Sequence, residues 1–575
     1  MKNKIITLIC IVALGLFSCV DVLDIYNTRE IADAAVWNDE AAAEMYLTAT
    51  YKTFNDVSQV ANSRYVFYDS YTDLMKSTSW DQYNHPYNKS LVQASSFSRG
   101  GAGAFECWSD AYVRIRRDNV KLVELERYGI PKYGEDWVNV RRAEIRLCRA
   151  FTYYRLIRVY GGVIIRTEKS GVAGSLDDGA FQADIHKARA DKPGEFPKNS
   201  WKFVLDELEW AAEYLPEAWP PKWFGRATKK TAYGLISRMA LFAQEWEIAA
   251  KAAEKVKELG GGLADDYAKV FQVDSDQDNS KEILFGLNFL EKKVTHSYDR
   301  FNRPFGDKKA GVDVFAEHVP TAELADLYEF KDGKAFSWST WDQGTGYTEP
   351  FTNREPRFHA TILYNGAKWE SREIKTFVAA TGDNHGADSF VDFVQAGSTN
   401  AHTCTGYYLR KYLQEGYANF SSDGSYQYDA VLRYAEVLLN KAEAYAEWDY
   451  VANRAQALAA LNEVRARVGL PAKTATDAPD KDAFMTLLRK ERCVELAGEG
   501  FRYWDLRRWK LAEKVIHGQM AHGTKITKRA DATLSYESVN CDANTPRIFL
   551  DKYYYFSLPT SEVSNNNLCE DNPYW

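Results

Sequence analysis

The sequence predicts a mostly α-helical protein in which tetratricopeptide-like helical hairpins form an array and carry an irregular, loop-rich lobe with short strands. Two observations support this fold class. Apolar residues recur at steps of three and four in two separate parts of the chain, which places them on one face of each helix. Between those parts the helical spacing fades, and Gly, Asn, Asp and aromatic residues become frequent over residues 274–427.

Six helical stripes occur in two groups along the chain. The second stripe ends at Gly161 and Gly162, because glycine commonly stops a helix. Helix pairs roughly 25 to 35 residues apart are typical of tetratricopeptide-like hairpins. We therefore expect an array formed by residues 38–273 and 428–515, assembled from distant parts of the chain. The stripes cover residues 108–122, 143–157, 204–215, 232–242, 435–445 and 457–468.

The segment between the two helical groups predicts an irregular lobe over residues 274–427. Short strand-like runs occur within it at residues 283–285 and 361–364. Irregular segments of this length usually have a function rather than serving only as connections. Residues 516–575 follow the second helical group as a C-terminal segment.

The first 19 residues predict export and a lipid anchor. Lys2 and Lys4 precede an apolar run over residues 5–17, which is shorter than the about 20 residues that span a bilayer as a helix. This pattern is typical of a secretory signal peptide over residues 1–18. Leu16 stands three residues before Cys19, as in the lipobox of bacterial lipoproteins, so we expect acylation of Cys19 and a body over residues 19–575 held at a membrane face. Ordinary secretion with an unmodified Cys19 is the alternative.

Charge and composition exclude some classes of partner. The 575-residue chain has a formal net charge of −8 and no large basic stripe, so we expect no binding of nucleic acid. It contains 16 Trp, 36 Tyr and 29 Phe, which together make 14% of the residues. Such side chains suit both packed helices and ligand-binding faces.

Neither a metal site nor a disulfide framework is predicted. Asp274 begins a pattern that resembles a calcium loop, but Asn279 stands where glycine is needed and Phe285 where glutamate is needed. A solvated turn is the preferred interpretation, and whether calcium binds there stays open. The cysteines are scattered and form no CxxC pair, although a bridge between Cys541 and Cys569 is compatible with an oxidising compartment.

Several motifs along most of the chain carry a family resemblance. The most specific block is Glu499-Gly500-Phe501-Arg502-Tyr503-Trp504-Asp505-Leu506-Arg507-Arg508-Trp509. The supporting segments are residues 142–163, which end in Tyr-Gly-Gly-Val, and residues 433–445, 462–471, 491–496, 556–562 and 572–575. Together they resemble the SusD/RagB family of outer-membrane nutrient-binding lipoproteins of the starch-utilisation-system type. Glu355 departs from the Asp-Pro-Arg sequence that is common in the family, which puts only that local turn in doubt.

The resemblance implies a function without catalysis and without a cofactor. Members of the family bind a glycan, or in some cases a peptide, and deliver it to a SusC-like, TonB-dependent outer-membrane transporter. It also implies a lipid-anchored body on the outer membrane that faces the cell exterior. The ligand would stack on an arc of aromatic rings. The candidate binding residues are Tyr71, Asp73, Trp80, Tyr83, Tyr87, Tyr298, Trp338 and Trp341.

Alternative functions stay open at this point. A peptide is the main alternative ligand, because aromatic loops serve both ligand classes, and neither the glycan nor the individual lining rings can be chosen from the sequence. A glycoside hydrolase would need two carboxyl groups about 5 to 9.5 Å apart in a cleft. A scaffold that binds only proteins is the third alternative.

Dense charges near the end of the second helical group predict structural ion pairs. Glu491, Glu495 and Glu499 are spaced one helical turn apart and lie among several arginines. Alternating charges of this density usually form ion-paired helix junctions rather than catalytic sites. The arginines of residues 141–158 are interpreted in the same way, as partners of carboxylates across the array rather than as an anion site.

Overall fold

The structure is a computed structural model that describes residues 36–62, 66–78, 85–169, 187–272, 281–309, 311–339, 341, 350–393 and 402–575. The predicted signal peptide and Cys19 therefore lie outside the described residues, as do Trp80, Tyr83 and the calcium-like segment that begins at Asp274.

Helices account for most of the regular structure, as predicted. Each of the six apolar stripes lies on a long helix. In chain order the helices are α1 Glu40–Thr48, α2 Lys52–Asn55, α3 Pro86–Val92, α4 Trp108–Glu124, α5 Ile130–Tyr133, α6 Glu135–Tyr160, α7 Lys198–Tyr214, α8 Lys229–Ala243, α9 Trp246–Glu258, α10 Tyr298–Asn302, α11 Ala322–Leu327, α12 Pro356–Thr361, α13 Tyr434–Arg467, α14 Lys481–Glu495, α15 Arg502–Arg508, α16 Ala512–Ile516 and α17 Thr560–Asn565.

The strands are short and lie mainly in and beside the predicted lobe. They are β1 Met75–Ser77, β2 Ile283–Leu287, β3 His318–Pro320, β4 Ile362–Leu363, β5 Lys368–Trp369, β6 Arg372–Glu373, β7 Val378–Ala379, β8 Tyr408–Leu409, β9 Asp429–Arg433, β10 His522–Lys528 and β11 Leu534–Asn540. Antiparallel pairs join β1 to β3, β2 to β9, β4 to β8 and β5 to β6. A three-stranded sheet has the order β11-β10-β7.

The long helices pack side by side in one continuous array. Contacts run from α4 to α6, α7, α8 and α9 and then pass directly to α13 and α14, although about 170 residues separate α9 from α13 in the chain. The array is therefore assembled from two distant parts of the sequence, as its two groups of stripes predict. α13 itself is interrupted at Asp449, whose φ of −163° and ψ of 98° are non-helical, so it comprises two helical segments that match the two predicted stripes.

The array and the lobe share one apolar core. A single cluster of buried side chains extends from Phe54 to Cys569 and includes residues of the array, the lobe and the C-terminal segment. Pairing of β2 with β9 fixes the lobe against the array, because β9 leads directly into α13. None of the described helices combines the length and the apolar character needed to cross a membrane.

One sequence-based expectation differs from the structure at the local level. α14 ends at Glu495, so Glu499 does not continue the helical face of Glu491 and Glu495. Gly498 and Gly500 adopt φ values of 75° and 79°, which fit a turn rather than a helix. The cysteines in the described part of the chain are all buried free thiols, and the Cys541 thiol donates to the carbonyl oxygen of Cys404 at 2.9 Å instead of bonding to Cys569.

Candidate functional site

Three of the predicted ligand-binding tyrosines are core residues. Tyr71 is 2% exposed and its ring lies 4.6 Å from that of Tyr87, which has no exposed surface. Tyr298 is also fully buried, and its hydroxyl donates to the carbonyl oxygen of Lys411 at 3.0 Å. A ring enclosed in this way cannot offer a face to a ligand from solution, so the structure does not bring these three residues to a binding surface.

Asp73 lies near the surface but is already paired. Arg502 binds both of its carboxylate oxygens, with Nε to Oδ1 at 2.9 Å and Nη2 to Oδ2 at 2.8 Å. Such a two-pronged pair fixes both side chains. Asp73 therefore connects β1 to α15 in this structure and does not join the other predicted site residues.

Trp338 and Trp341 are half-buried, and both indole rings contact the same third aromatic ring. The ring of Tyr536 lies 5.4 Å from that of Trp338 and 6.2 Å from that of Trp341. All three side chains keep part of their surface open to solvent. We call Trp338, Trp341 and Tyr536 the aromatic patch.

The hairpin of β10 and β11 positions the aromatic patch. Tyr536 stands opposite Ile526 in the antiparallel register, and Ile526 is buried, so the hairpin is packed onto the core. Beneath the patch, the rings of Phe336 and Phe351 lie 5.1 and 6.1 Å from that of Trp338, both edge-on. Edge-to-face packing of this kind fixes the orientation of the indole.

The carboxyl group of Asp326 on α11 borders the patch. Burial raises the pKa of Asp326 to about 6, and the nearby Trp338 side chain lowers it only in part. The Oδ1 atom of Asp326 is buried and has no hydrogen-bond partner in the described residues. Glu323, one turn earlier, accepts from Nδ1 of His522 at 2.7 Å. The patch thus combines flat apolar rings with a polar group at its edge.

The glutamates near the end of α14 form a buried ionic network, as the charge pattern predicts. Glu495 pairs with Arg433 at 2.7 Å, with Arg357 at 3.0 Å and with Arg467. Burial opposes ionisation of Glu495, but Arg467, Arg433 and Arg357 outweigh it and hold its pKa well below the usual range. Glu499 accepts from Arg433 at 2.7 Å. These groups are saturated with partners, which is a structural rather than a catalytic arrangement.

Most arginines of α6 also pair with carboxylates of other parts of the chain. Arg149 binds Glu207 and Glu168, and Arg155 binds Asp56 at 2.8 Å. Arg158, near the end of the helix, has no carboxylate partner among the described residues and stacks on Trp504 at 4.0 Å from the ring centroid.

Sequence reasoning missed Tyr536 and Asp326. A signal for Tyr536 exists, because Leu534, Tyr536 and Val539 lie in a run that partly alternates apolar and polar residues, as strands do. Nothing local distinguishes Asp326 from other aspartates. Among the described residues, no group of His, Cys, Asp and Glu is arranged to hold a metal ion.

Comparisons with known proteins place the chain in a family. Residues 281–575 match the model of the SusD family, and residues 23–241 match a family model described as starch-binding associating with outer membrane. The chain therefore belongs to the SusD family.

Individual relatives are similar over most of their length. A SusD-like protein of Formosa agariphila is 24% identical over 81% of this chain and 79% of its own. A crystal structure of a SusD-like protein from Bacteroides fragilis has a TM-score of 0.76 and 26% identity, covering 95% of this chain and 99% of that one. A second B. fragilis structure, of a SusD-like carbohydrate binding protein, has a TM-score of 0.72 and 24% identity over 93% and 99% of the two chains.

Proposed function

We propose that this protein is a non-catalytic binding protein of the outer membrane that captures an oligosaccharide on the aromatic patch. The observation that carries the proposal is the half-exposed arrangement of Trp338 and Trp341 around Tyr536. One face of a pyranose ring presents C–H groups and is apolar, so it stacks on flat aromatic rings. The ring hydroxyls then meet hydrogen-bonding groups at the rim of the site.

Family membership supports this assignment. The SusD-like carbohydrate binding protein of B. fragilis shares the fold, and the matching N-terminal family model is described by starch binding and by association with the outer membrane. By the same family reasoning, we propose that acylated Cys19 anchors the body, that the body faces the cell exterior, and that a SusC-like, TonB-dependent transporter receives the ligand. Trp80 and Tyr83 stay candidates for the same surface.

A peptide is the second candidate ligand, because the same flat rings can pack against apolar side chains. A glycoside hydrolase is disfavoured by the state of the two carboxyl groups of Asp326 and Glu323 on α11. Asp326 has the raised pKa of a general acid, but its Oδ1 atom is buried. Glu323 is engaged by the ring and the backbone N–H of His522. A hydrolase needs both carboxyl groups free to face the glycosidic bond.

Replacement of the two indoles tests the proposal. The double variant Trp338→Ala/Trp341→Ala removes two of the three rings of the patch and leaves the floor of buried rings intact. We expect it to lose retention in affinity electrophoresis against every glycan gel that retards the unaltered protein, because the stacking surface is gone. The far-ultraviolet circular dichroism spectrum should not change.

The matched control is Trp448→Ala. Trp448 is 42% exposed on α13 and is distant in sequence from the patch, so it tests the loss of an exposed indole as such. Its retention should equal that of the unaltered protein. If the double variant were retained as strongly as the control, the patch would not be the binding surface.

A further inference from the structure

A second concave surface lies on the helical array, away from the aromatic patch. It has a cavity volume of about 280 Å³ between α6, α7, α8, α9, α13, α14 and α15. This volume is close to the lower end of the range for small-molecule sites. Its aromatic walls come from Trp201, Phe242, Trp246, Trp504, Trp509 and Tyr555. We call this surface the arginine groove, and it contains no residue of the aromatic patch.

Three arginines of the arginine groove lack the carboxylate partners that other buried arginines have. Arg158, Arg489 and Arg507 line the groove, and none of them forms an ion pair with a carboxylate of the described residues. The two glutamates in the wall of the groove already accept hydrogen bonds from other cationic side chains. Glu443 accepts from Arg508 at 2.7 Å, and Glu447 accepts from Lys481 at 3.1 Å. The groove therefore carries an excess of positive charge on a protein whose formal net charge is −8.

Three buried donors in the walls have no acceptor within the part of the chain that the structure describes. They are Nε of Arg158, Nε of Arg489 and Nε1 of Trp504. Trp504 is only 3% exposed, and the Arg158 guanidinium lies 4.0 Å from the centroid of its ring. Buried donors in proteins are almost always paired. Donors of this kind in a positively charged groove match a ligand that brings acceptor oxygens and negative charge.

We propose that the arginine groove binds an acidic sugar, with the carboxylate of a uronate residue held by Arg489 and Arg158 and its ring against the aromatic walls. A guanidinium presents two parallel N–H groups that match the two oxygens of a carboxylate. The half-exposed indoles of Trp246 and Trp509 supply flat surfaces for the sugar ring. This site is separate from the aromatic patch and does not depend on it.

Replacement of Arg489 gives the most direct test of the arginine groove. It is half-buried on α14, and its described neighbour is the ring of Trp509, 5.3 Å from the guanidinium carbon. Because it takes part in no ion pair of the described residues, its replacement leaves no carboxylate unpaired. Arg489→Gln should therefore fold, and Arg489→Lys keeps the charge while losing the two-pronged geometry.

Isothermal titration calorimetry with trigalacturonate and with its neutral methyl ester tests the proposal. The acid should bind the unaltered protein at least tenfold more tightly than the ester does. Arg489→Gln should weaken binding of the acid at least tenfold, and Arg489→Lys should weaken it severalfold. Arg117→Gln, a change at an exposed arginine of α4, should have no effect. The Trp338→Ala/Trp341→Ala variant should also bind the acid normally, because its rings lie outside the groove.

Several results would overturn the proposal. The proposal would be overturned if the acid and the ester bound with equal affinity, or if Arg489→Gln and Arg489→Lys bound the acid as strongly as the unaltered protein does. It would also be overturned if the acid did not bind at millimolar concentration. Loss of acid binding in the Trp338→Ala/Trp341→Ala variant would assign the acid to the aromatic patch instead. Displacement of trigalacturonate by millimolar inorganic sulfate would show that the groove recognises anions without regard to the sugar ring.

Discussion

Asp326 links the aromatic patch to the interior. Burial raises its pKa to about 6, whereas an exposed aspartate has a pKa of about 3.9. The nearby Arg354 guanidinium and Trp338 side chain favour the charged form but do not offset burial, and Glu323 opposes it further. The folded protein therefore binds this proton more tightly than the unfolded chain does. The stabilising effect of the protonated form is complete below the unfolded pKa and is lost as the pH rises through about 6.

Asp326→Asn should consequently change stability in a pH-dependent manner. Asparagine has nearly the same shape but cannot ionise, so the free energy of unfolding of the variant relative to the unaltered protein should increase between about pH 4 and 6. The increase should be at most about 1.4 kcal/mol per pH unit and should level off above pH 6. Urea denaturation at pH 4, 5, 6 and 8 measures it. A difference that is constant over this range would contradict a raised pKa at Asp326.

The aromatic residues show what local sequence can and cannot predict at this scale. The loops around Tyr71 and Trp338 are similarly rich in polar and aromatic residues. Tyr71 is buried because Phe105 and Tyr503, distant in sequence, pack their rings 4.8 and 5.9 Å from it. Trp338 stays partly open although Tyr536, 198 positions later, meets it from one side. Exposure depends on these long-range partners, which a local pattern does not contain.

The end of α14 is a junction between the array and the lobe. Its Glu495 contacts arginines from three other elements: Arg357 of α12, Arg433 of β9 and Arg467 of α13. All four side chains are almost completely buried. Charges buried in this way are tolerated because each has partners, so the loss of one member leaves the others without compensation.

Glu495→Gln should therefore destabilise the fold strongly. The substitution keeps the volume but leaves three buried guanidinium groups short of negative charge, and we expect a loss of about 3–5 kcal/mol in the free energy of unfolding. Chemical denaturation at pH 7 measures the loss. Glu247→Gln on α9 is the control, since Glu247 forms an exposed pair with Lys251 at 2.5 Å and should change stability by less than about 1 kcal/mol. Equal effects of the two substitutions would refute the structural role of Glu495.

Helices and strands were predictable from the sequence where the pattern that indicates them lies within one short stretch of chain. The helical stripes of α4, α6, α7 and α8 each lie within one stretch of chain, and Gly161, with a φ of 75°, ends α6 where predicted. The β10–β11 hairpin was not predicted, because its strand pattern is weak and its packing partners belong to the lobe. The position of Glu499 was mistaken because helical spacing alone does not show that α14 stops at Glu495.

At the scale of the whole molecule, the array acts as a support for two different surfaces. α9 and α13 are neighbours in space, so the lobe inserted between them in sequence is held at both ends. The lobe and the β10–β11 hairpin form the aromatic patch, which suits the faces of neutral sugars. The helices themselves form the arginine groove, whose unpaired cations suit an acidic sugar. In this account, the protein holds its ligand and leaves the covalent bonds of that ligand unchanged.

This account is tested most directly by a calorimetric screen of residues 20–575 against plant, host and microbial oligosaccharides and against peptides. Mass spectrometry of each ligand after incubation shows whether its length has changed. We predict saturable binding of at least one oligosaccharide, recovered at its original length. The account would be contradicted if only peptides bound saturably, if no glycan bound, or if glycans were recovered as shortened chains.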